Sequence, residues 1–361
     1  MLATFFKHES SSAILLLLMT IVALILANST FSELYFSLSH SMHFFVNDVL
    51  MVLFFFVVGL EIRREINSGE LASFSKSSLP IGAAIGGMIA PAAMYLFCTY
   101  GTKEQSGWGV PMATDIAFAL GVLSLFGSRI PHGLKIFLTS LAIVDDIGAI
   151  LVIAFFYSKS FSFFYLAIVF ILAVVLFLLR KSVSKRHIVF TVFAILLWYG
   201  TLLSGIHATI AGIILAFLVP ESNASQYEDK LHSFVAFCIM PLFALVNAGV
   251  PISLNAFMLA TELQSFWGII LGLVLGKPLG IMLAVFFLVR FFNVTLPQNV
   301  NFLQMFGVSL LAGVGFTMSI FIANLAFDND LEPVKISILV ASLSAALLGG
   351  LVLTVFRKAN F

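Results

Sequence analysis

Asp145 and Asp146 stand side by side in "LTSLAIVDDIGAILVIAFFY", a run that otherwise carries no charge. Two more isolated charges share that setting: Asp115 in "SGWGVPMATDIAFALGVLSLFG" and Lys277 in "GLVLGKPLGI". Each costs about 3 kcal/mol at the centre of a hydrocarbon layer. One Asp–Lys pair is explained by mutual neutralisation, but three acids against one base are not. The surplus carboxylates read as a site for a cation that comes and goes. Adjacent helical positions diverge by about 100°, so Asp145 and Asp146 point different ways and separate roles follow. Hard cations take oxygen ligands, here offered by Asp146, Asp145, Thr114 and the carbonyls of any broken helix nearby. Neighbouring carboxylates titrate as a coupled unit, holding protons that they release when a cation arrives. Two cargoes competing for one site is by itself an exchange mechanism.

The elements that hold these charges are long apolar runs. Of 361 residues 61% are hydrophobic and 10% charged, and forty are Phe; the mean hydropathy is +1.12. Soluble domains carry about 25% charged residues, whereas a helix needs about 20 apolar residues to cross a bilayer. The fold class is therefore an all-α polytopic membrane protein. Its spans are expected near 12–28, 42–66, 78–100, 106–126, 133–157, 161–180, 187–203, 205–219, 231–250, 265–290, 303–327 and 333–356, about twelve transmembrane helices. The connectors 220–230 and 251–264 are the longest, so no soluble domain is expected. The apolar N-terminal segment is read as a retained first helix and not as a signal peptide. Cys98 and Cys238 lie within apolar runs and suggest neither a disulfide framework nor a metal site. The lipid bilayer is the expected partner; no nucleic acid and no cofactor are expected.

Basic residues sort to alternate connectors. Lys7, Arg63, Arg64, Lys76, Arg129, Lys135, Arg180, Lys181, Lys185, Arg186, Lys230, Arg290, Arg357 and Lys358 fall on one side, and Lys103, Lys159 and Lys335 on the other. Positive charge favours the cytoplasm, which places both termini inside. Spans 4 and 11 look broken near mid-membrane, by Gly107, Gly109 and Pro111 in one and by Gly313 and Gly315 in the other. They run in opposite directions, one in each half of the chain. Such a pair points to inverted repeats with two discontinuous crossed helices, a pattern of secondary transporters that include the family named below. Half-helix N-termini are positive and C-termini negative, so Asp115 and Lys277 are placed to neutralise opposite ends of the crossing.

The segments "FFFVVGLEIRREI", "GWGVPMATDIAFALGVL", "LAIVDDIGAILVIAFFY", "SGIHATIAGIILAF", "PLFALVNAGV", "GLVLGKPLGI" and "GVGFTMSIFIANLAF" together resemble the bacterial NhaA family of sodium/proton antiporters. The resemblance runs from about Val46 to Leu325. It implies Asp145 and Asp146 as the ion and proton site with Thr114 beside them, and Asp115 and Lys277 as the balance of the crossed helices. Lys277 is also implied as a proton-linked partner of Asp145. The double-acid form resembles the electrogenic branch, which exports one Na⁺ or Li⁺ against two protons by alternating access at the bacterial inner membrane. A transport part near 78–157 and 265–356 and a scaffold part near 12–66 and 161–250 follow. Glu61, Arg64, Glu65, Glu228 and His232 are implied as a pH-sensing funnel, against the reading of ordinary rim charge; the 220–232 connector departs from the family by carrying one His and few basic residues. His207 reads as a packed or pore-rim residue, and Asp48 either lines the external path or sits at the interface. A homodimer is a further implication. Its contact in such proteins is a β-hairpin in the first external connector, and "NSTFSELYFSLSHSM" is shorter than that segment.

Other classes fit less well. An intramembrane aspartyl protease would use Asp115 and Asp145, but its Gly-x-Gly-Asp context is absent. A prenyl-transfer enzyme would need an acid where Ala149 stands. A channel would need more polar spans, and a sodium-coupled organic-solute symporter on a related fold would need a larger polar cavity.

Overall fold

The computed structural model describes residues 9–127, 130–158, 161–183, 187–327 and 331–355. Both chain ends and the connector residues Lys7, Arg129, Lys159, Lys185, Arg186, Arg357 and Lys358 lie outside them, so the orientation they suggest is not addressed by the structure. Among the described residues every regular element is helical. Helices α1 (Glu9–Ala27), α2 (Ser32–Phe44), α3 (Met51–Ser68) and α4 (Phe74–Cys98) form the first part. A tight 3₁₀ segment, Lys103–Met112, precedes α5 (Ile116–Ser124) and α6 (His132–Phe156). Next come α7 (Phe163–Val183), α8 (His187–Ser204), α9 (Ile210–Leu218), α10 (Glu221–Phe234) and α11 (Met240–Asn247). The chain closes with α12 (Leu254–Glu262), α13 (Gln264–Leu271), α14 (Lys277–Phe292), α15 (Phe302–Ala312), α16 (Phe316–Ala326) and α17 (Leu331–Val355).

Seven described helices are long and apolar enough to cross a membrane, or nine if each of two bent pairs counts as one span. Ser11–Ala27 and Ile188–Ser204 are apolar but shorter. Three expected connectors are helical instead, one of them 251–264, which holds α12. Ser32–Phe44 continues through the π-turn Phe45–Leu50 into α3, making one span of 37 residues. This helix occupies the connector expected to be the first external one, and no β-hairpin forms there. Tyr35 anchors it by donating from its hydroxyl to the Leu245 carbonyl at 2.7 Å. Likewise α10 covers the expected 220–230 connector and runs through the π-turn Val235–Ile239 into α11.

Both suspected breaks are present. The segment Lys103–Met112 meets α5 at 42°, and α15 meets α16 at 44°. Pro111 ends the first with extended backbone at Ala113 and Asp115. At the second, a Cβ on Gly313 would collide with the Leu273 carbonyl, so only glycine lets the break lie against the π-turn Gly272–Gly276 that precedes Lys277.

The α4–α14 contact rests on glycines too. A Cβ on Gly280 would strike the Gly86 carbonyl and come within 2.6 Å of Ala90 Cβ. Small residues permit such backbone approach between membrane helices. Gly280 lies one turn beyond Lys277, so spreading this pair displaces the lysine. Gly280→Val should therefore lower thermal stability in detergent by about 1–3 kcal/mol, the usual cost of overpacking, and impair activity; an unchanged melting curve would show that the contact is slack.

Candidate functional site

The two breaks touch, and polar groups at the contact are matched by sign. Asp115 caps α5 by accepting from the Phe118 N–H at 2.9 Å through Oδ1. Its other oxygen accepts from the Thr317 N–H at 3.1 Å, in the first turn of α16, and from the Thr317 hydroxyl. One carboxylate thus serves two positive helix starts. The negative ends are met by donors. Lys277 Nζ donates to the Met112 carbonyl, which ends the 3₁₀ segment. The Asp115 N–H donates to the Val314 carbonyl at 2.7 Å, and the Ser319 hydroxyl to the Val110 carbonyl at 2.7 Å.

On α6 the two acids diverge as the helical rotation requires. Asp145 faces Lys277, with Nζ 2.7 Å from Oδ2 and the lysine fully buried. The Thr114 hydroxyl lies 2.7 Å from that same oxygen and 2.9 Å from the Ala312 carbonyl. Its single proton serves one acceptor at a time. Asp146 makes neither contact. It lines a cavity of about 440 Å³ together with Thr114, Asp115 and Thr317. Both aspartates are buried, and Oδ1 of each lacks a hydrogen-bond partner among the described residues. Buried carboxylate oxygens without donors are uncommon and suit a hard cation or a proton. The carboxylates of Asp115 and Asp145 are committed to different partners, helix starts for one and Lys277 for the other, so they form no proton-sharing protease dyad.

The mouth of the same cavity gathers Glu61, Arg64, Glu228 and His232. Arg64 forms a close ion pair with Glu228 and lies 3.6 Å from Glu65. His232 Nε2 lies 3.7 Å from Glu61. Glu65 also accepts from the Glu70 N–H at 3.0 Å, fixing the turn after α3. Asp48 belongs to the opposite side, in a separate cavity of about 290 Å³ with His43, His207 and Asn324. His207 Nε2 is 3.6 Å from its carboxylate. The sites implied for ion, helix balance and funnel are therefore brought together, and Asp48 stands apart.

Residues 3–353 match the family model described as Na⁺/H⁺ antiporter 1. The chain belongs to the Na⁺/H⁺ antiporter 1 family. It is 44% identical over 380 residues to "Na(+)/H(+) antiporter NhaA" of Pelagibacter ubique (strain HTCC1062), covering 98% of this chain and 97% of that protein. "Na(+)/H(+) antiporter NhaA 1" of Clostridium beijerinckii (strain ATCC 51743 / NCIMB 8052) is 43% identical, with 99% and 95% covered. "Na(+)/H(+) antiporter NhaA" of Proteus mirabilis (strain HI4320) is 45% identical, with 97% and 95% covered. Members of the Na⁺/H⁺ antiporter 1 family are membrane transporters, not enzymes, and work on transported ions without a resident cofactor.

Within this Na⁺/H⁺ antiporter framework, several residues at the site escape a reading based on charge. Thr317 and Ser319 hold the two breaks together. Phe321 separates the cavities: it lies edge-on to His207 at 5.4 Å and packs on Phe55 at 5.4 Å and Phe243 at 6.2 Å. The buried Asn47 and Asn247 form a chain of amides with the half-buried Asn324. The threonine, serine and asparagines were visible as uncharged polar residues inside apolar runs, whereas nothing sets Phe321 apart among forty Phe.

Proposed function

We propose that this chain is an electrogenic Na⁺(Li⁺)/H⁺ antiporter of a bacterial inner membrane, exporting one Na⁺ against two protons by alternating access. The observation that carries the reading is the pair of buried, partly unpartnered carboxylates, of which Asp146 lines a cavity. Asp146, with Thr114 beside it, takes the cation. Asp145 is a further ligand or, with Lys277, carries the proton. Asp115 and Lys277 offset the helix ends, which allows the site to sit in a break. About twelve spans, inverted repeats with crossed broken helices and cytoplasmic termini complete the arrangement. The transport part spans roughly 78–157 and 265–356, and the scaffold part roughly 12–66 and 161–250. The cavity with Glu61, Arg64, Glu65, Glu228 and His232 at or near its mouth opens to the cytoplasm and regulates exchange by pH. Asp48 lines the external path. The protein forms a homodimer, with α2 in place of a hairpin at the first external connector.

Proteoliposomes with an imposed pH gradient test this directly. Na⁺ or Li⁺, but not K⁺, should collapse the gradient, and a membrane potential should alter the rate. Absence of any Na⁺ or Li⁺ response from neutral to alkaline pH rejects antiport; a rate indifferent to potential rejects the two-proton stoichiometry.

Competition for one site also has a definite pH dependence. Protons must leave before the cation binds, so affinity for Na⁺ is lost as pH falls. On the acidic side the apparent KM for Na⁺ should rise about tenfold per pH unit for each proton displaced. A KM constant across that range would show separate sites for the two cargoes.

A further inference from the structure

We propose that Asn324 and Asn247 form a latch that holds the external side shut, and that Asn324 is a positioning residue for alternating access. The proposal rests on the antiport reading above and adds to it the element that sets which side is open.

The hydrogen bonds at the start of α16 stay within the site: Thr317 to Asp115, Ser319 to Val110, and the Phe316 N–H to the Ser342 hydroxyl on α17. Toward the opposing helices α3 and α11, Phe321 makes ring contacts with Phe55 and Phe243. Ring faces can slide past one another. Asn324, near the far end of α16, makes a directional bond instead. Its Nδ2 donates to Asn247 Oδ1 at 2.8 Å.

The partner is fixed by saturation. Asn247 is fully buried. Its Nδ2 donates to the Phe243 carbonyl at 3.0 Å and to Asn47 Oδ1 at 2.9 Å. Its Oδ1 accepts from Asn47 Nδ2 at 3.1 Å and from Asn324. A carbonyl can only accept, so Phe243 settles which way the Asn247 amide faces. All four of its hydrogen-bonding positions are used, and three of them bind it to its own side of the contact. Asn324 is held less completely: its Oδ1 is buried without a partner among the described residues. The bond therefore ties a half-satisfied side chain to a saturated anchor. It is strong enough to bias the closed arrangement and cheap to break, because the freed amide can be hydrated once the cavity around Asp48 and His207 widens.

Sided labelling tests this without requiring ion exchange. In a Cys98→Ser/Cys238→Ser background, Leu120→Cys reports on the cavity beside Asp146 and Leu202→Cys on the cavity beside Asp48. Asn324→Leu and Asn324→Ala should each raise maleimide labelling at Leu202→Cys by about 3- to 15-fold, the factor of one interhelical hydrogen bond in a bilayer. Labelling at Leu120→Cys should fall once the two states become comparable. The apparent KM for Na⁺ should then change in opposite directions when measured from the two sides. A well-folded variant with unchanged labelling at both positions overturns the latch. Should Asn324→Leu not fold, Asn324→Ala gives the same readout; if neither folds, a purely structural role replaces the proposal. Failure of the wild-type protein to exchange ions would reject the antiport reading and leave the labelling result interpretable.

Discussion

Asp146→Asn is expected to abolish Na⁺-driven proton flux, with apparent Na⁺ affinity down by at least about 100-fold, while the protein remains folded. Asparagine keeps the shape and one oxygen but loses the charge. A charge-assisted contact is worth about 3 kcal/mol, or two decades in affinity. Stability should not fall, because Asp146 Oδ1 has no partner and the substitution removes a desolvated charge. The two readouts together separate a ligand from a structural residue. Full exchange by Asp146→Asn would reject the assignment; loss of both exchange and folding would identify a residue needed for assembly. Asp145→Asn is a different experiment, since it strands Lys277 in a buried site beside the Met112 carbonyl.

That difference leads to the second large effect. Lys277→Met should reduce thermal stability by about 3–5 kcal/mol, the cost of leaving one partner of a buried ion pair uncompensated. Combining it with Asp145→Asn should recover much of the loss, because both charges are then gone and neither is stranded. Full recovery is not expected, since the Met112 carbonyl still lacks its donor. Additive losses in the double variant, measured by thermal unfolding in detergent, would mean that the 2.7 Å contact contributes little coupling. Transport in the double variant would further distinguish an Asp145–Lys277 pair that carries a proton from one that only supports the break.

Much of this architecture is legible in the sequence because lipid imposes a simple rule. Each span must be apolar and about 20 residues long, so charges within it stand out. Asp115, Asp145, Asp146 and Lys277 could be singled out for that reason, and Gly–Pro and Gly–Gly clusters marked the breaks. Helices that do not follow the hydropathy rule were missed. Ser32–Phe44 mixes Ser, His and aromatic residues, and Glu221–Phe234 is mostly polar; both read as connectors, yet each is continuous with an apolar helix and needs only tertiary anchoring to form. Contacts between elements are a different matter. That Asp115 bridges two helix starts, or that Asn247 joins Asn47 to Asn324, depends on packing across 77 to 202 positions of chain, which no local pattern encodes.

The turn of α16 beneath Phe321 also has an electrical consequence. Thr317 lines one cavity and Phe321 the other, and four residues of helix rise only about 6 Å. If both cavities fill with electrolyte, a membrane voltage falls across that short interval instead of the full 30 Å of hydrocarbon. The local field is then about five times steeper than in plain bilayer, and a unit charge moved past this one turn gains the whole of about 2.3 kcal/mol per 100 mV. Voltage can thus drive a displacement of a few ångströms, with no need for a charge to travel through the full thickness of the protein.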